Sequence, residues 1–204
     1  MKRLLALFVL IVASASARAE APVILAFGDS ISAGYGLAHV EQGWVELLKT
    51  RLSSLGYGYQ VVNASVSGET TAGGLARLPR ALELHHPKIV ILELGGNDGL
   101  RALPIAQMRA NLTRMVELAS AAGAKVLLLG MRMPPNYGPE YTEQFAMVFS
   151  DLARERKLPL VPFLLTDIAL SPTLLQGDDI HPNAAGQPLL LENVWPTLKP
   201  LLHK

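Results

Sequence analysis

A serine at a predicted strand-to-helix turn is the first residue of this sequence whose placement suggests chemistry. The apolar run Val23-Ile24-Leu25-Ala26-Phe27 is typical of a buried strand and leads directly into Gly28-Asp29-Ser30. Gly28 permits a sharp turn because it has no Cβ. Ser30 is therefore expected at the entry to a helix, where backbone N–H groups remain free. A hydroxyl there suits a nucleophile beside an oxyanion site, and it equally suits an ordinary helix N-cap.

A serine hydroxyl is a weak nucleophile unless a base removes its proton. Of the five histidines, His181 lies in a predicted loop and follows two acids, in Asp178-Asp179-Ile180-His181. A carboxylate in this loop can reach Nδ1 of the imidazole, which fixes the tautomer and leaves Nε2 facing Ser30. From the residues alone, Asp178 and Asp179 compete for this role. Two acids and a histidine also allow a metal site, although they offer few ligands for a hard cation or for zinc.

Alternating strands and helices must position these residues. The predicted strands are 23–27, 59–63, 88–94, 126–129 and 160–164, and the predicted helices are 44–56, 75–85, 104–123, 141–156 and 184–202. This alternation predicts a single α/β domain with a parallel sheet and right-handed crossovers. In open α/β sheets, sites form beyond the carboxyl ends of the strands. Residues distant in sequence are therefore expected to converge on one crevice.

Three further blocks follow the Ser30 turn in order. They are Asn63-Ala64-Ser65-Val66-Ser67-Gly68-Glu69-Thr70, Leu94-Gly95-Gly96-Asn97-Asp98 and Asp178-Asp179-Ile180-His181-Pro182-Asn183. With Gly28-Asp29-Ser30, these blocks resemble the SGNH (GDSL-type) hydrolase family from about Val23 to the C-terminus. Within the family, the second and third blocks and Pro-x-Asn-Tyr-Gly are similar to the periplasmic multifunctional thioesterase, lysophospholipase and arylesterase branch.

The resemblance implies a flavodoxin-like, three-layer fold with a five-stranded parallel sheet in the order 2-1-3-4-5 and helices on both faces. It implies that Ser30 is the nucleophile, His181 the base and Asp178 its orienting acid. The backbone N–H groups of Ser30 and Gly68 and the side-chain amide of Asn97 would form the oxyanion hole. Taken alone, Gly68 and Asn97 would be ordinary turn residues.

Other residues near these blocks have structural or weaker functional interpretations. Short polar side chains beside turns usually bond the loop backbone, so these acids are expected to be structural: Asp29, Glu69, Asp98 and Asp179. Asn63 is expected to support the Gly68 loop. Apolar loop residues are expected to border the crevice and to suit an acyl chain or an aryl leaving group, although ordinary loop packing explains them equally well: Leu100, Met133, Pro134, Pro135 and Tyr137.

The N-terminus has the pattern of a secretory signal peptide. Lys2 and Arg3 precede an apolar core from 4 to 13, and Ala17-Arg18-Ala19 is a small-x-small cleavage site. We expect cleavage after Ala19, which leaves one domain over residues 20–204. Cleavage removes three of the 18 Lys and Arg and none of the 17 Asp and Glu, so the mature net charge is −2. This charge argues against nucleic-acid binding, and the absence of Cys excludes disulfides.

These observations predict a periplasmic serine esterase that acts through an acyl-enzyme on small-molecule substrates. The resemblance implies acyl thioesters, aryl esters and lysophospholipids as those substrates. No metal or organic cofactor, nucleic-acid partner or stable membrane anchor is expected, and the chain is expected to be monomeric. One alternative is a carbohydrate O-acetylesterase on the same site. A second alternative is a non-catalytic ligand-binding protein that keeps the pocket.

Overall fold

A computed structural model describes residues 21–204, so the predicted signal peptide and its cleavage site lie outside the described residues. The strands are β1 Val23–Gly28, β2 Gln60–Asn63, β3 Ile89–Glu93, β4 Lys125–Leu129 and β5 Leu160–Val161. The helices are α1 Ser30–Ala33, α2 Trp44–Ser54, α3 Thr71–His85, α4 Gly96–Leu100, α5 Ile105–Ala121, α6 Pro139–Arg156 and α7 Gln187–Leu198. Three short 3₁₀ helices are Val40–Gln42, Pro135–Tyr137 and Lys199–Leu201.

The five strands form one parallel sheet in the order β2-β1-β3-β4-β5, which confirms the predicted topology. Helices cover both faces of the sheet. On one face α2 packs against α7, and on the other α5 packs between α3 and α6. This arrangement has the three layers expected of an α/β domain.

The central strands are apolar on both faces because helices cover both sides of the sheet. Every residue of β3 is buried, and in β1 only Val23 retains partial exposure. The largest fully buried side chains include Trp44, Phe27 and Phe145. The core therefore lies on both sides of the strands that carry the site residues, which gives their carboxyl ends a rigid base.

Three of the element boundaries that differ from the sequence prediction have a clear local cause. Helix α3 begins at Thr71, because the Thr70 hydroxyl caps it by accepting a hydrogen bond from the Gly73 N–H at 3.3 Å. Strand β5 ends at Val161, and the next residue is Pro162, which has no N–H to continue a ladder. Helix α7 begins with Gln187 rather than near Ala184, so Pro188 lies in its first turn, where a backbone N–H is not needed.

The chain connections change direction between β1 and β3. The connection from β1 leads outward to β2, whereas the connections from β3 lead through β4 to the opposite edge. In open α/β sheets such a switch point opens a crevice at the carboxyl ends of the strands. Ser30 follows β1 and Asn97 follows β3, so both lie at this switch point.

Candidate active site

The turn after β1 presents Ser30 as the first residue of α1. The preceding Asp29 is the N-cap, and its Oδ1 accepts the Ile31 N–H at 3.0 Å. The first N–H groups of a helix have no partner within the helix. The Ser30 hydroxyl is partly exposed at this point, while Asp29 beneath it is 2% exposed. The turn therefore combines an accessible hydroxyl with a free backbone donor.

Ser30, His181 and Asp178 form one continuous hydrogen-bonded series. The Ser30 Oγ lies 2.8 Å from His181 Nε2, and His181 Nδ1 lies 2.6 Å from Asp178 Oδ2. The two contacts use opposite nitrogens of the ring, so one can accept a proton from the hydroxyl while the other donates to the carboxylate. The structure thus brings together residues 151 positions apart in the sequence.

Asp178 is held as a carboxylate by its own loop. Its Oδ1 accepts the N–H groups of Ile180 and His181, both at 3.0 Å. Partial burial raises the pKa of Asp178, but the hydrogen bonds from the His181 backbone and ring and from the Ile180 N–H outweigh it and lower that pKa to about 2. Asp179 instead has φ of 57° and an exposed side chain. In residues 21–204 the carboxylate of Asp179 accepts no hydrogen bond, so the structure pairs His181 with Asp178.

The second and third expected oxyanion donors come from the turns after β2 and β3. Gly68 has φ of +78°, a left-handed conformation that favours glycine. Within the part of the chain that the structure describes, its N–H donates to no other protein group. Asn97 donates one amide hydrogen to Asp29 Oδ2 at 3.1 Å, which leaves its second amide hydrogen available.

Two side chains tie these donor loops to the rest of the site. The Arg101 guanidinium at the end of α4 donates to the Gly68 carbonyl at 3.0 Å, so the Asn97 helix holds the Gly68 loop. The Asn63 amide donates to the Ser32 carbonyl at 2.8 Å, and its Oδ1 accepts the Ser65 N–H at 3.1 Å. Asn63 therefore connects the loop after β2 to α1.

Three of the four acids expected to be structural, all except the exposed Asp179, make structural contacts. Asp98 accepts the N–H and the hydroxyl of Thr71, at 2.8 Å and 2.5 Å, and so fixes the start of α3. Glu69 pairs with Arg77 at 2.5 Å. Asp29 has a larger role than loop capping, because one carboxylate caps α1 and also accepts from Asn97.

Two of the five residues expected to border the crevice, Leu100 and Tyr137, lie together. The Tyr137 hydroxyl donates to the Leu100 carbonyl at 3.0 Å, and both side chains are half-buried. Pro134 is exposed, and its carbonyl accepts the Tyr137 N–H at 3.1 Å. From Tyr137 a row of aromatic rings at spacings of 5.6 to 6.4 Å runs into the core along α6: Tyr141, Phe145 and Phe149. This row anchors the loop, and its contact with substrate stays a prediction.

Sequence reasoning missed the contact that places the His181 loop beside α1. The Tyr35 ring packs on the His181 ring with centroids 4.7 Å apart and planes tilted by 46°. Gln176 donates from Nε2 to the Tyr35 carbonyl at 2.7 Å and from its backbone N–H to the His181 carbonyl at 2.8 Å. A Cβ at Gly36 would lie 2.0 Å from Gln176 Oε1, so the glycine after Tyr35 was the available signal.

Residues 21–204 contain neither a membrane-spanning helix nor a cluster of metal-ligating side chains. None of the helices in this range has both the length and the apolar character needed to cross a bilayer. In the same range, no group of three or more histidine, aspartate or glutamate side chains is arranged to hold a metal ion.

A hydroxyl, an imidazole and a carboxylate in series, at the switch point of a parallel sheet, define the arrangement of an α/β serine hydrolase. The model of the GDSL-like Lipase/Acylhydrolase family matches residues 26–189. The chain belongs to this family, and it is a hydrolase of the esterase type. The predicted SGNH (GDSL-type) resemblance is therefore confirmed.

Similar proteins agree with the predicted branch. Esterase TesA of Pseudomonas aeruginosa is 56% identical over 185 residues, which cover 91% of this chain and 92% of that protein. Thioesterase 1/protease 1/lysophospholipase L1 of Escherichia coli K12 is 41% identical over 91% of this chain and 87% of its own length. An arylesterase of Vibrio mimicus is 40% identical over 95% of this chain and 96% of its own length.

Solved structures share the fold over nearly the same residues. The crystal structure of TesA superposes with a TM-score of 0.86 at 56% identity and covers 88% of this chain and 99% of that chain. The psychrotrophic esterase EstA from Pseudoalteromonas sp., inhibited by monoethylphosphonate, gives a TM-score of 0.83 at 40% identity, with 87% and 97% covered.

Proposed function

We propose that this esterase hydrolyses acyl thioesters, aryl esters and lysophospholipid esters through an acyl-enzyme on Ser30. The observation that carries the proposal is the series from Ser30 Oγ through the His181 ring to Asp178, at 2.8 Å and 2.6 Å. These contacts lie within the hydrogen-bonding reach that a nucleophile and its base require.

In the first half-reaction the Ser30 Oγ attacks the carbonyl carbon of the ester or thioester. His181 Nε2 takes the hydroxyl proton as the Oγ–C bond forms, and Asp178 stabilises the resulting imidazolium through Nδ1–H. The carbonyl oxygen becomes an oxyanion. When the bond to the leaving oxygen or sulfur breaks, the same nitrogen of His181 returns the proton to the leaving group.

Three donors converge on the oxyanion in this proposal. They are the N–H of Ser30, the unpaired N–H of Gly68 and the second amide hydrogen of Asn97. Each is preorganised: Ser30 by its cap, Gly68 by Arg101 and Asn97 by Asp29. Donors that need no reorganisation act on charge that develops in the tetrahedral state, where one donor typically contributes about 10²–10³ in kcat.

In the second half-reaction water attacks the acyl carbon on Ser30. His181 accepts a proton from the water, the Oγ–C bond breaks and the proton returns to Ser30. The products are a carboxylic acid and the alcohol, phenol or thiol released earlier. Every proton in this cycle moves between the substrate, water, Ser30 and His181, so no further reactant enters the scheme.

The proposed substrate classes rest on the named activities of the relatives and on the loops beside the site. Proteins named esterase, arylesterase and thioesterase 1/protease 1/lysophospholipase L1 match this chain over most of its length. Leu100, Pro134 and Tyr137 present an apolar surface that suits an acyl chain or an aryl group. We further propose that the enzyme acts as a monomer in the periplasm and without a nucleic-acid partner.

Ser30→Ala tests the proposal directly, with Ser120→Ala as a matched control on the exposed side of α5. We expect a loss in kcat of at least about 10⁴-fold for Ser30→Ala with an aryl ester, and wild-type rates for Ser120→Ala. A serine-directed phosphonate should label the wild type at Ser30 and leave Ser30→Ala unlabelled. Wild-type turnover by Ser30→Ala would refute the assignment of the nucleophile.

A substrate panel tests the proposed substrate classes. The mature protein should hydrolyse p-nitrophenyl esters and acyl thioesters beyond the acetyl length, and it should release fatty acid from a lysophospholipid. Activity confined to acetyl esters would instead indicate a carbohydrate O-acetylesterase. Failure of every ester, together with no phosphonate labelling, would indicate a ligand-binding protein.

A further inference from the structure

Glu93 is a buried acid that the proposed mechanism does not use. It ends β3 opposite Gly28, the last residue of β1, and its side chain has no exposed surface. Burying an ionised carboxylate is unfavourable unless a counter-charge or several donors compensate for the lost hydration. The contacts of Glu93 therefore decide both its charge and its role.

One oxygen of Glu93 holds both sides of the Ser30 turn. Oε2 accepts the Asp29 backbone N–H at 3.1 Å and the Ser32 hydroxyl at 2.8 Å. These donors stand one residue before and two residues after Ser30. A Cβ at Gly28 would lie 2.4 Å from Oε2 and 2.9 Å from the Glu93 carbonyl, so only glycine lets the carboxyl reach the turn.

The second oxygen of Glu93 indicates the charge. Oε1 is buried and has no hydrogen-bond partner among the described residues, 21–204. Among residues 21–204 no lysine, arginine or histidine forms an ion pair with Glu93, and the charged group that faces it is the like-charged Asp29. An unpaired hydroxyl in such a place costs less than an unpaired charged oxygen. The contacts therefore favour a proton on Oε1, with Oε2 as the acceptor.

Asp29 differs from Glu93 because both of its oxygens are occupied. Oδ1 accepts from Ile31 and Oδ2 accepts from Asn97, and the His181 ring lowers the pKa of Asp29 further whenever that ring carries a proton. Burial raises the pKa of Asp29 to about 6, and these contacts oppose that rise. Burial and the charge of Asp29 together raise the pKa of Glu93 well above its usual value. Of the two carboxyl groups, Glu93 is thus the one that remains protonated.

We propose that Glu93 is a positioning residue that acts as a neutral carboxylic acid. It fixes the backbone on both sides of Ser30 and, through Asp29, the orientation of the Asn97 amide. The inference rests on the proposed function, because the groups it positions are the proposed nucleophile and oxyanion donors. Glu93 itself touches no substrate in this scheme.

The first test compares Glu93→Gln with Glu93→Leu. Glutamine is neutral and its carbonyl can accept both hydrogen bonds, so kcat should stay within about threefold of wild type. Leucine removes the acceptor from beneath the turn, and we expect kcat to fall by about 10²-fold, the loss associated with misplacing a reacting group by about 1 Å. KM should change little in either variant. A glutamine variant as impaired as the leucine variant would refute the neutral acceptor role.

The second test needs no catalysis and measures the melting temperature, Tm, against pH. Below the unfolded pKa of glutamate, both states of the wild type carry the proton. Above that pKa the unfolded state ionises while the folded state does not, so the wild type loses stability that Glu93→Gln retains. The Tm of Glu93→Gln relative to wild type should therefore rise by about 3–5 °C per pH unit above pH 4.5.

Glu41→Gln, at an exposed position, is the matched control and should show no such rise. A Tm difference for Glu93→Gln that stays constant from pH 4.5 to 7.5 would overturn the neutral state of Glu93. The Tm measurements on Glu93→Gln and Glu41→Gln can be repeated in the Ser30→Ala background, because they need no catalysis. If Ser30→Ala retains full activity, the proposed function fails, while the thermal result still decides the charge of Glu93.

Discussion

Replacing Asp178 by asparagine removes two contributions that this carboxylate makes to His181 in the proposed mechanism. The carboxylate orients the ring through Nδ1–H, and its charge stabilises the imidazolium. The carboxylate accepts from Nδ1 at 2.6 Å and also accepts two backbone N–H groups of its own loop. Asparagine can keep the backbone contacts through its carbonyl oxygen. Its amide then faces Nδ1 as a donor, which favours the tautomer with the proton on Nε2. In that tautomer His181 cannot accept the Ser30 proton.

The size of the loss follows from these two contributions. Despite partial burial, hydrogen bonds from His181 and Ile180 lower the pKa of Asp178 from 3.8 to about 2. That difference corresponds to about 2.4 kcal/mol. Because the side chain is 38% exposed, solvent screening reduces it to about 1 kcal/mol, and it describes the stability of the carboxylate in its loop rather than a contribution to the rate. The loss in kcat comes from the wrong tautomer and from the missing charge beside the imidazolium, and we expect a total of about 10⁴-fold, the loss seen for this change in a serine protease.

Asp179→Asn is the matched control because it makes the same chemical change in the adjacent residue. Asp179 adopts φ of 57°, a conformation that asparagine tolerates, and its side chain is exposed. Its charge favours the imidazolium only weakly through solvent, so kcat should fall by less than about threefold. Circular dichroism should first show that both variants are folded, and kcat is then measured with one aryl ester at pH 8.

Two results would contradict this reasoning. A loss of less than about tenfold for Asp178→Asn would mean that charge alone matters and that the tautomer is set elsewhere. A large loss of kcat for Asp179→Asn, together with an active Asp178→Asn, would mean that Asp179 rather than Asp178 orients His181.

Three further predictions concern the oxyanion hole, acid stability and export. Asn97→Ala should lower kcat by about 10²–10³ with little change in KM, because its donor acts on the tetrahedral state; steady-state kinetics test this, and a loss confined to KM would make Asn97 a binding residue. The Tm of wild type relative to Asp178→Asn should fall as the pH is lowered from about 5 to about 2. The lowered pKa of Asp178 stabilises the folded state at pH values above the pKa of an unfolded aspartate, and this stabilisation is lost as the pH falls toward the folded-state pKa of about 2. A Tm difference that does not depend on pH would argue against it. The exported protein should begin at Glu20, and an intact mass of the full chain in the periplasm would reject cleavage.

The central strands could be predicted from the sequence because burial on both faces leaves a simple pattern. The apolar runs before Gly28 and Gly95 are typical of strands that are buried on both faces. The observed β1 extends one residue beyond its predicted range, and the observed β3 is one residue shorter at each end. Edge elements were less predictable. Strand β5 forms only two residues of ladder, since Pro162 lacks the donor that a longer strand needs.

Contacts between distant segments could not be predicted, because a local pattern does not identify the partner of a side chain. Arg101 reads as an exposed helix-end charge, and its bond to the Gly68 carbonyl depends on how two loops meet. Glu93 did leave a signal, since an acid inside the apolar run from Ile89 to Leu94 must be paired or neutral when that run is buried. The sequence could not show that its partners are Asp29 and Ser32.

The proposed acid and base of the site are encoded locally, whereas their distance from the proposed nucleophile is not. Asp178 and His181 share one loop, which is closed by an antiparallel bridge between Leu175 and Pro182. The 2.6 Å contact between Asp178 and His181 lies within this one loop. The 2.8 Å contact with Ser30 needs that loop to dock on the α1 turn, and Tyr35 makes the docking contact through its ring and carbonyl. The family resemblance therefore predicted Asp178 rather than Asp179 as the partner of His181, and only the folded structure could show which residues hold this pair against the serine.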